Sequence, residues 1–446
     1  MQSQPIATAT LAEPPPWRRD ANVIGLVGLA HGISHFSQLL LAPLFPWLKT
    51  AFGVSYTQLG LLLTIFFVVS SVSQFASGFY VDRHGPRPVL FGGLLLIGFA
   101  ALGFAASPSY GWLALCSVVA GVGNGVFHPA DYTLLNRKIH KSRLGHAYSV
   151  HGVTGSLGWA LAPALLVPIT LASSWRVALL CAAALIFTVV AVLWLRRDLL
   201  ALPGTQAVRQ PTAAGGAVTG TVSAMGTLAA PLVAPAASPA SAASEHVMAF
   251  LRIPAVWMSF GFFFFYAGAL SIVQSFAPES ARQLHGVPAP LAALCLSIYM
   301  VCSAAGMVAG GFLARDLGRA ERIVGAAFGL AAMVALVIGF APVAALMVPV
   351  LFGAMGFVSG LAGPSRDLIV KSAAPDNASG RVYGVVYAGL DIGQAVVPLV
   401  IGAMMDLHAW RSVWLALALL QGVLIVSAFN VRRVRRTASV GAAVPA

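Results

Sequence analysis

Residues 121–176 read GVGNGVFHPADYTLLNRKIHKSRLGHAYSVHGVTGSLGWALAPALLVPITLASSWR, and residues 356–411 repeat that stretch in outline. Sliding the chain by 235 positions, the interval from Gly121 to Gly356, lays Gly121, Gly125, Pro129, Gly145, Tyr148, Gly158, Pro163, Trp175 and Arg176 on Gly356, Gly360, Pro364, Gly380, Tyr383, Gly393, Pro398, Trp410 and Arg411. Just upstream, Gly78 and Gly85 fall on Gly311 and Gly318. A gapless match of this kind marks an internal duplication whose unit is about half the chain.

Composition says where such an object sits. Hydrophobic residues make up 59% of the 446 positions and charged residues 9%, against about 45–50% and about 25% in soluble domains. A bilayer core needs about 20 apolar residues per helix. Runs of that length occupy 22–48, 56–80, 88–106, 110–135, 145–172 and 175–195, then 254–278, 290–314, 322–341, 343–370, 381–405 and 411–430. The expected fold is an all-α membrane protein of twelve transmembrane helices in two pseudo-symmetric six-helix halves. Its expected parts are an N-terminal tail (1–21), a first half (22–198), a flexible linker rich in Ala, Pro, Gly and Ser (199–248), a second half (249–431) and a basic tail (432–446). The first twenty residues have no apolar core and include Pro14 to Pro16, so a cleaved signal peptide is not expected.

Charge sets the orientation. Of the 26 Lys and Arg residues, only Lys49, Arg176, Arg282 and Arg411 fall in loops on the side away from the termini. The positive-inside rule then places both termini and the linker in the cytoplasm of a cell with this chain in its inner (plasma) membrane. It also accounts for the net charge of +13 without nucleic acid. Cys116, Cys181, Cys295 and Cys302 lie singly in apolar runs, so neither a disulfide framework nor a metal site is indicated.

Spans 3, 6, 9 and 12 are nearly free of polar groups, whereas the other eight carry His, Asp, Gln, Tyr, Ser or runs of Gly. Every third helix therefore faces lipid, and the rest turn polar groups toward protein or water. His31, Ser34, His35 and Gln38 in span 1, Asn124, His128 and Asp131 in span 4, and Tyr387, Asp391 and Gln394 in span 11 are spaced three, four or seven apart, one helix face each. An ionised carboxylate at mid-bilayer costs about 3 kcal/mol, which singles out Asp391 as a proton site or substrate contact. His35, His128 and His151 read equally as titrating groups and as interhelical hydrogen-bonders. Asp131 and Arg366 lie near enough to span ends to snorkel. Pro129 and Pro364, at matching points of spans 4 and 10, are expected to kink both helices, for gating or for packing.

The loop after span 2, Gly78-Phe79-Tyr80-Val81-Asp82-Arg83-His84-Gly85-Pro86-Arg87, resembles the G-x-x-x-D-R-x-G-R signature of the major facilitator superfamily. That resemblance implies a gating motif of Gly78, Asp82, Arg83, Gly85 and Arg87, in which Asp82 meets the start of span 11 near Gly380 and latches the outward-open state. Residues 121–165, with Phe127-His128-Pro129, a basic loop and a Gly-rich fifth span, together with Ser34-His35, resemble the fosmidomycin resistance subfamily.

The resemblance implies alternating access by two rocking halves, exporting a small polar or amphipathic compound, such as a fosmidomycin-like antibiotic, in antiport with protons. The expected substrate and proton residues are His35, Gln38, His128, His151, Tyr387, Asp391 and Gln394. The alternative is proton-coupled uptake of a small organic acid. No cofactor, nucleotide or metal is expected beyond the proton gradient. The expected partners are substrate, protons and lipid, around a monomer. No HExxH, nucleophile pair or Cys/His set is visible, so an enzyme is not expected.

Overall fold

Ser55 shows how one local signal starts an element. Its hydroxyl accepts from the Gln58 backbone N–H at 3.1 Å, while the Gln58 side chain accepts from the Ser55 N–H at 2.9 Å. This capping box opens a 29-residue helix, Tyr56–His84, that ends at Gly85, whose φ of 83° only glycine adopts without strain. Ser109 and Ser174 cap two further helices by accepting from Trp112 N–H and Val177 N–H, each at 3.3 Å.

The computed structural model describes residues 17–202, 254–313, 317–373 and 380–441. The linker expected at 199–248 falls almost wholly outside them. The elements are α1 Trp17–Gln38, α2 Phe45–Phe52, α3 Tyr56–His84, α4 Pro86–Ala105, α5 Tyr110–Asn124, α6 Phe127–Lys138, α7 Leu144–Ala172, α8 Trp175–Leu195, α9 Pro254–Ser275, α10 Ala277–His285, α11 Ala289–Leu313, α12 Leu317–Phe340, α13 Val348–Ala373, α14 Gly380–Asp406 and α15 Trp410–Gly441. Among the described residues there is no strand, and twelve helical spans are long and apolar enough to cross a membrane. The first joins α1 to α2 and the fourth joins α5 to α6.

The repeated glycines make equivalent contacts. A Cβ added at Gly121 or Gly125 would run into the carbonyls of Phe66 or Ser70 on α3. At Gly356 or Gly360 it would run into those of Tyr299 or Ser303 on α11. Likewise Gly158 abuts Gly32 on α1, and Gly393 abuts Phe264 on α9. Small residues let transmembrane backbones approach closely, so the duplication read from sequence is a duplication of helix contacts.

In each half one pair of helices stands at the rim: α4 packs on α8, and α12 on α15. These helices expose Phe99, Leu180, Met333 and Leu419, the surface expected to meet acyl chains. The halves meet along two seams, α3 against α14 and α7 against α11. Both seams are closed at the end of the molecule where α3 begins and α14 ends. There Gly60 abuts Pro398 and Gly402 abuts the backbone of Tyr56 and Thr57. Thr64 Oγ1 donates to the Ala395 carbonyl at 2.5 Å, and Ser297 Oγ to the Ala160 carbonyl at 3.3 Å.

The same end carries a charged network across the halves. The Asp406 carboxylate accepts from the Tyr56 N–H at 2.7 Å, and from the Thr57 N–H and hydroxyl at 2.9 and 2.7 Å. Glu279 is buried beside it. It accepts from the Tyr56 hydroxyl at 3.3 Å and from Arg282 at 2.7 and 2.8 Å. The Glu279 hydrogen bonds hold the Arg282 guanidinium above its ordinary range. At the opposite end, Asp82 and Arg83 of the loop signature are exposed, and among the described residues nothing lies within 4 Å of where a Cβ on Gly78 would be.

Candidate functional site

Pro129 has no N–H to offer the carbonyl of Gly125, four residues back. The fourth span breaks there: α5 ends at Asn124 and α6 starts at Phe127. Ser77 Oγ on α3 shares its one hydrogen between the freed Gly125 carbonyl at 3.1 Å and the Gln74 carbonyl at 2.9 Å. Pro364, the matching residue, lies inside α13, which continues from Val348 to Ala373. The two halves therefore treat the same proline differently.

The break divides the polar residues of spans 1 and 4 into two layers. In one, Asn124 is the hub. Its side-chain carbonyl accepts from Ser34 Oγ at 2.8 Å and from Gln38 Nε2 at 3.4 Å, and its amide donates to Ser70 Oγ at 2.9 Å. Trp159 Nε1 donates to Gln38 Oε1 at 2.9 Å. Gln38 is thus held by α5 and α7 together.

In the other layer, α1, α6 and α7 bring four imidazoles together around one carboxylate. The His31 and His151 rings stack with centroids 3.5 Å apart, and His35 and His128 lie 4.3 and 5.5 Å from His31. Asp131 is fully buried, with Oδ2 3.2 Å from His151 Nε2 and 3.3 Å from His31 Nδ1. His35 also packs on Trp159 at 4.3 Å, and His128 stacks on Tyr132 at 5.9 Å. Gly155 leaves the space the rings need, since a Cβ there would meet His35 Cε1 at 2.9 Å and His31 Nε2 at 3.0 Å. Asp131 does not snorkel. The break turns α6 so that this residue points between α1 and α7, where imidazoles replace the water it would otherwise seek.

The second half contributes a smaller group. Gln394 Nε2 on α14 donates to Gln274 Oε1 on α9 at 3.2 Å, both buried. Asp391, three residues earlier, is half-buried and faces Ser71 on α3. Arg366 turns inward, its guanidinium 4.4 Å from the Tyr266 ring centroid and 5.9 Å from that of Phe263.

Of the seven substrate and proton residues expected from sequence, His35, Gln38, His128 and His151 share the first half, and Asp391 and Gln394 share α14. The Tyr387 side chain lies outside the described residues. His31, Asp131 and Trp159 join the first group only through tertiary contact. Helical spacing had marked His31 and Asp131 as members of polar stripes, but nothing local marked them as partners.

The profile described as Major Facilitator Superfamily matches residues 27–354 and 259–444. "Uncharacterized MFS-type transporter YfnC" of Bacillus subtilis (strain 168) is 29% identical over 205 residues, 45% of this chain and 50% of that protein. "Fosmidomycin resistance protein" of Escherichia coli (strain K12) is 28% identical over 172 residues, 37% of this chain and 40% of that protein. The chain thus spans half or less of the length of these curated relatives. A bacterial homolog of the human lysosomal transporter Spinster, solved in an inward-facing and occupied conformation, superposes with a TM-score of 0.71 at 14% identity. That match covers 94% of this chain and 97% of the other.

Proposed function

Because this chain belongs to the Major Facilitator Superfamily, a family of transporters, we propose that it exports a small polar or amphipathic compound by proton-coupled alternating access. Fosmidomycin-like antibiotics are the first candidates, from the resemblance to the fosmidomycin resistance protein. With both termini in the cytoplasm of the inner membrane, the closed end is the external one, as in an inward-facing state. The exposed Asp82 and Arg83 and the open space over Gly78 fit that state. In it the cytoplasmic latch implied by the loop signature is released.

The observation that carries the proton coupling is Asp391 in the α3–α14 seam, beside Ser71. The Ser71 hydroxyl can donate to a carboxylate or accept from a protonated carboxyl, so that contact does not choose between the two states. Burial does, because protonation removes a charge worth about 3 kcal/mol at mid-bilayer. The loaded carboxyl therefore suits the closed seam, and the unloaded one suits a seam opened to water. Gln38, His35 and Trp159 on one side and Gln274 and Gln394 on the other supply the polar walls of the substrate path.

The test is intracellular fosmidomycin in cells expressing the chain or its Asp391→Asn variant, each with and without a protonophore. Export predicts lower accumulation that disappears with the protonophore and with the variant. Unchanged accumulation, with the protein present in the membrane, removes this substrate. Net inward flux of an organic acid in vesicles with an imposed pH gradient would replace export by uptake.

A further inference from the structure

The histidine layer has a donor set that proton-coupled export does not require. One ligand atom from each of His31, His128 and His151 lies within 4.8 Å of the others. Asp131 Oδ2 is 3.3 Å from the first of these rings and 3.2 Å from the third. Among the described residues, the ion pairs of Asp131 are with these histidines alone.

Several of the polar atoms here are unsatisfied. The Nδ1 atoms of His35 and His128 and Oδ1 of Asp131 are buried without a hydrogen-bond partner, and His31 Nδ1 has only its ion-pair contact with Asp131 Oδ2 at 3.3 Å. A neutral imidazole carries one N–H and one lone pair, and a carboxylate only accepts. Several lone pairs thus converge in a buried space where few N–H or O–H groups are left to meet them. Leaving buried acceptors unmet costs about 1–3 kcal/mol each. A Lewis acid meets several at once.

We propose that His31, His128, His151 and Asp131 form a binding site for one divalent transition-metal ion of the zinc type, within the first half of the transporter. Three imidazoles and a carboxylate are borderline donors, suited to zinc, cobalt or nickel; magnesium and calcium take oxygen ligands. Tetrahedral ligation at metal–nitrogen distances of about 2.0–2.1 Å places nitrogens about 3.4 Å apart, so separations of up to 4.8 Å shorten by up to about 1.4 Å. Gly155, having no Cβ, already lets His31 and His35 sit against α7, and any side chain there would crowd the ligating rings. His35, packed between His31 and Trp159, walls the site without ligating. No local signature marks the site in sequence, because the donors come from three elements and the first is separated from the other two by the whole of spans 2 and 3.

The experiment uses the full chain, purified in detergent with no polyhistidine tag and stripped with a chelator, titrated with Co²⁺ and read by its visible d–d absorption. The expected result is an intense low-symmetry band saturating at one ion per chain, displaced by Zn²⁺ and not by Mg²⁺. His128→Gln and His151→Asn are each expected to weaken Co²⁺ binding more than about 100-fold. Gly155→Ala, which crowds the rings but removes no donor, is expected to weaken it about 10-fold, as outer-shell changes do. His146→Gln, elsewhere on α7, is expected to leave it unchanged. If His151→Asn does not fold, His128→Gln decides, because its ring makes no hydrogen bond to Asp131. A spectrum that stays that of the aqueous ion overturns the proposal, as does a band that survives His128→Gln at the same stoichiometry. Neither result bears on Asp391, whose role is read separately from protonophore sensitivity.

Discussion

Asp406, the last residue of α14, caps the first turn of α3 in the other half: its carboxylate takes the Thr57 N–H at 2.9 Å and the Thr57 hydroxyl at 2.7 Å. The first N–H groups of a helix have no partner within it, and the N-terminal dipole favours a negative charge. An intrahelical cap has become a bond between halves.

Replacing Asp406 by Ala is expected to weaken closure of this end by about 1–2 kcal/mol, a factor of about 5–30 in the open-to-closed ratio. The check is alkylation of Ser297→Cys, buried in the second seam, by an impermeant maleimide in a background lacking the four native cysteines. Labelling should accelerate in Asp406→Ala; an unchanged rate rejects the latch. Lys49→Ala should do little, because its ammonium is 4.0 Å from Asp406 and 40% exposed.

Gly60→Val is expected to abolish transport in a protein that still folds. A Cβ at Gly60 would meet the Pro398 carbonyl at 2.5 Å, so the helix forms but the seam does not close. Substrate flux and Ser297→Cys labelling, measured together, check this. Loss of flux without faster labelling would mean that the valine acts elsewhere.

Asn124→Ala is expected to lower the melting temperature in detergent. The change strips partners from Ser34, Ser70 and Gln38 at once, leaving buried polar groups at about 1–3 kcal/mol each. An unaltered melting temperature would show that the network contributes little to stability.

Ser77→Ala is expected to cost about 1 kcal/mol in the native chain and much less beside Pro129→Ala. Alanine at 129 restores an N–H to the Gly125 carbonyl, which then no longer needs the Ser77 hydroxyl. Thermal melts of the two single variants and the double variant form the cycle; strictly additive losses would rule out the exchange.

The sequence revealed most where one residue type has one physical use. Gly121 and Gly356 were legible because only glycine permits the same close helix approach in both halves, and Gly85 because only glycine takes its φ. Polar stripes were legible as faces but not as partners. His31 and Ser34 share a face of α1, yet one joins the histidines and the other Asn124. The spacing of Asn124, His128 and Asp131 assumed one continuous helix, and the break before Phe127 parts the first from the other two. Asp406 gave no signal at all, since a carboxylate at a span end is ordinary until the fold sets a foreign helix start against it.

α3 and α14 run antiparallel, so each begins where the other ends. Asp406 ends α14 at the start of α3, and Asp82 lies in the last turn of α3 at the end where α14 starts. In the alternating access proposed above, rocking about the middle of this pair would release the Asp406 cap and bring Asp82 toward the start of α14, exchanging one carboxylate cap for another. Two states balanced in this way need little free energy to exchange: a bias of about 1.4 kcal/mol is already a tenfold change in their ratio. The seam is a beam balance, and in the proposed cycle one proton at Asp391 is the weight that tips it.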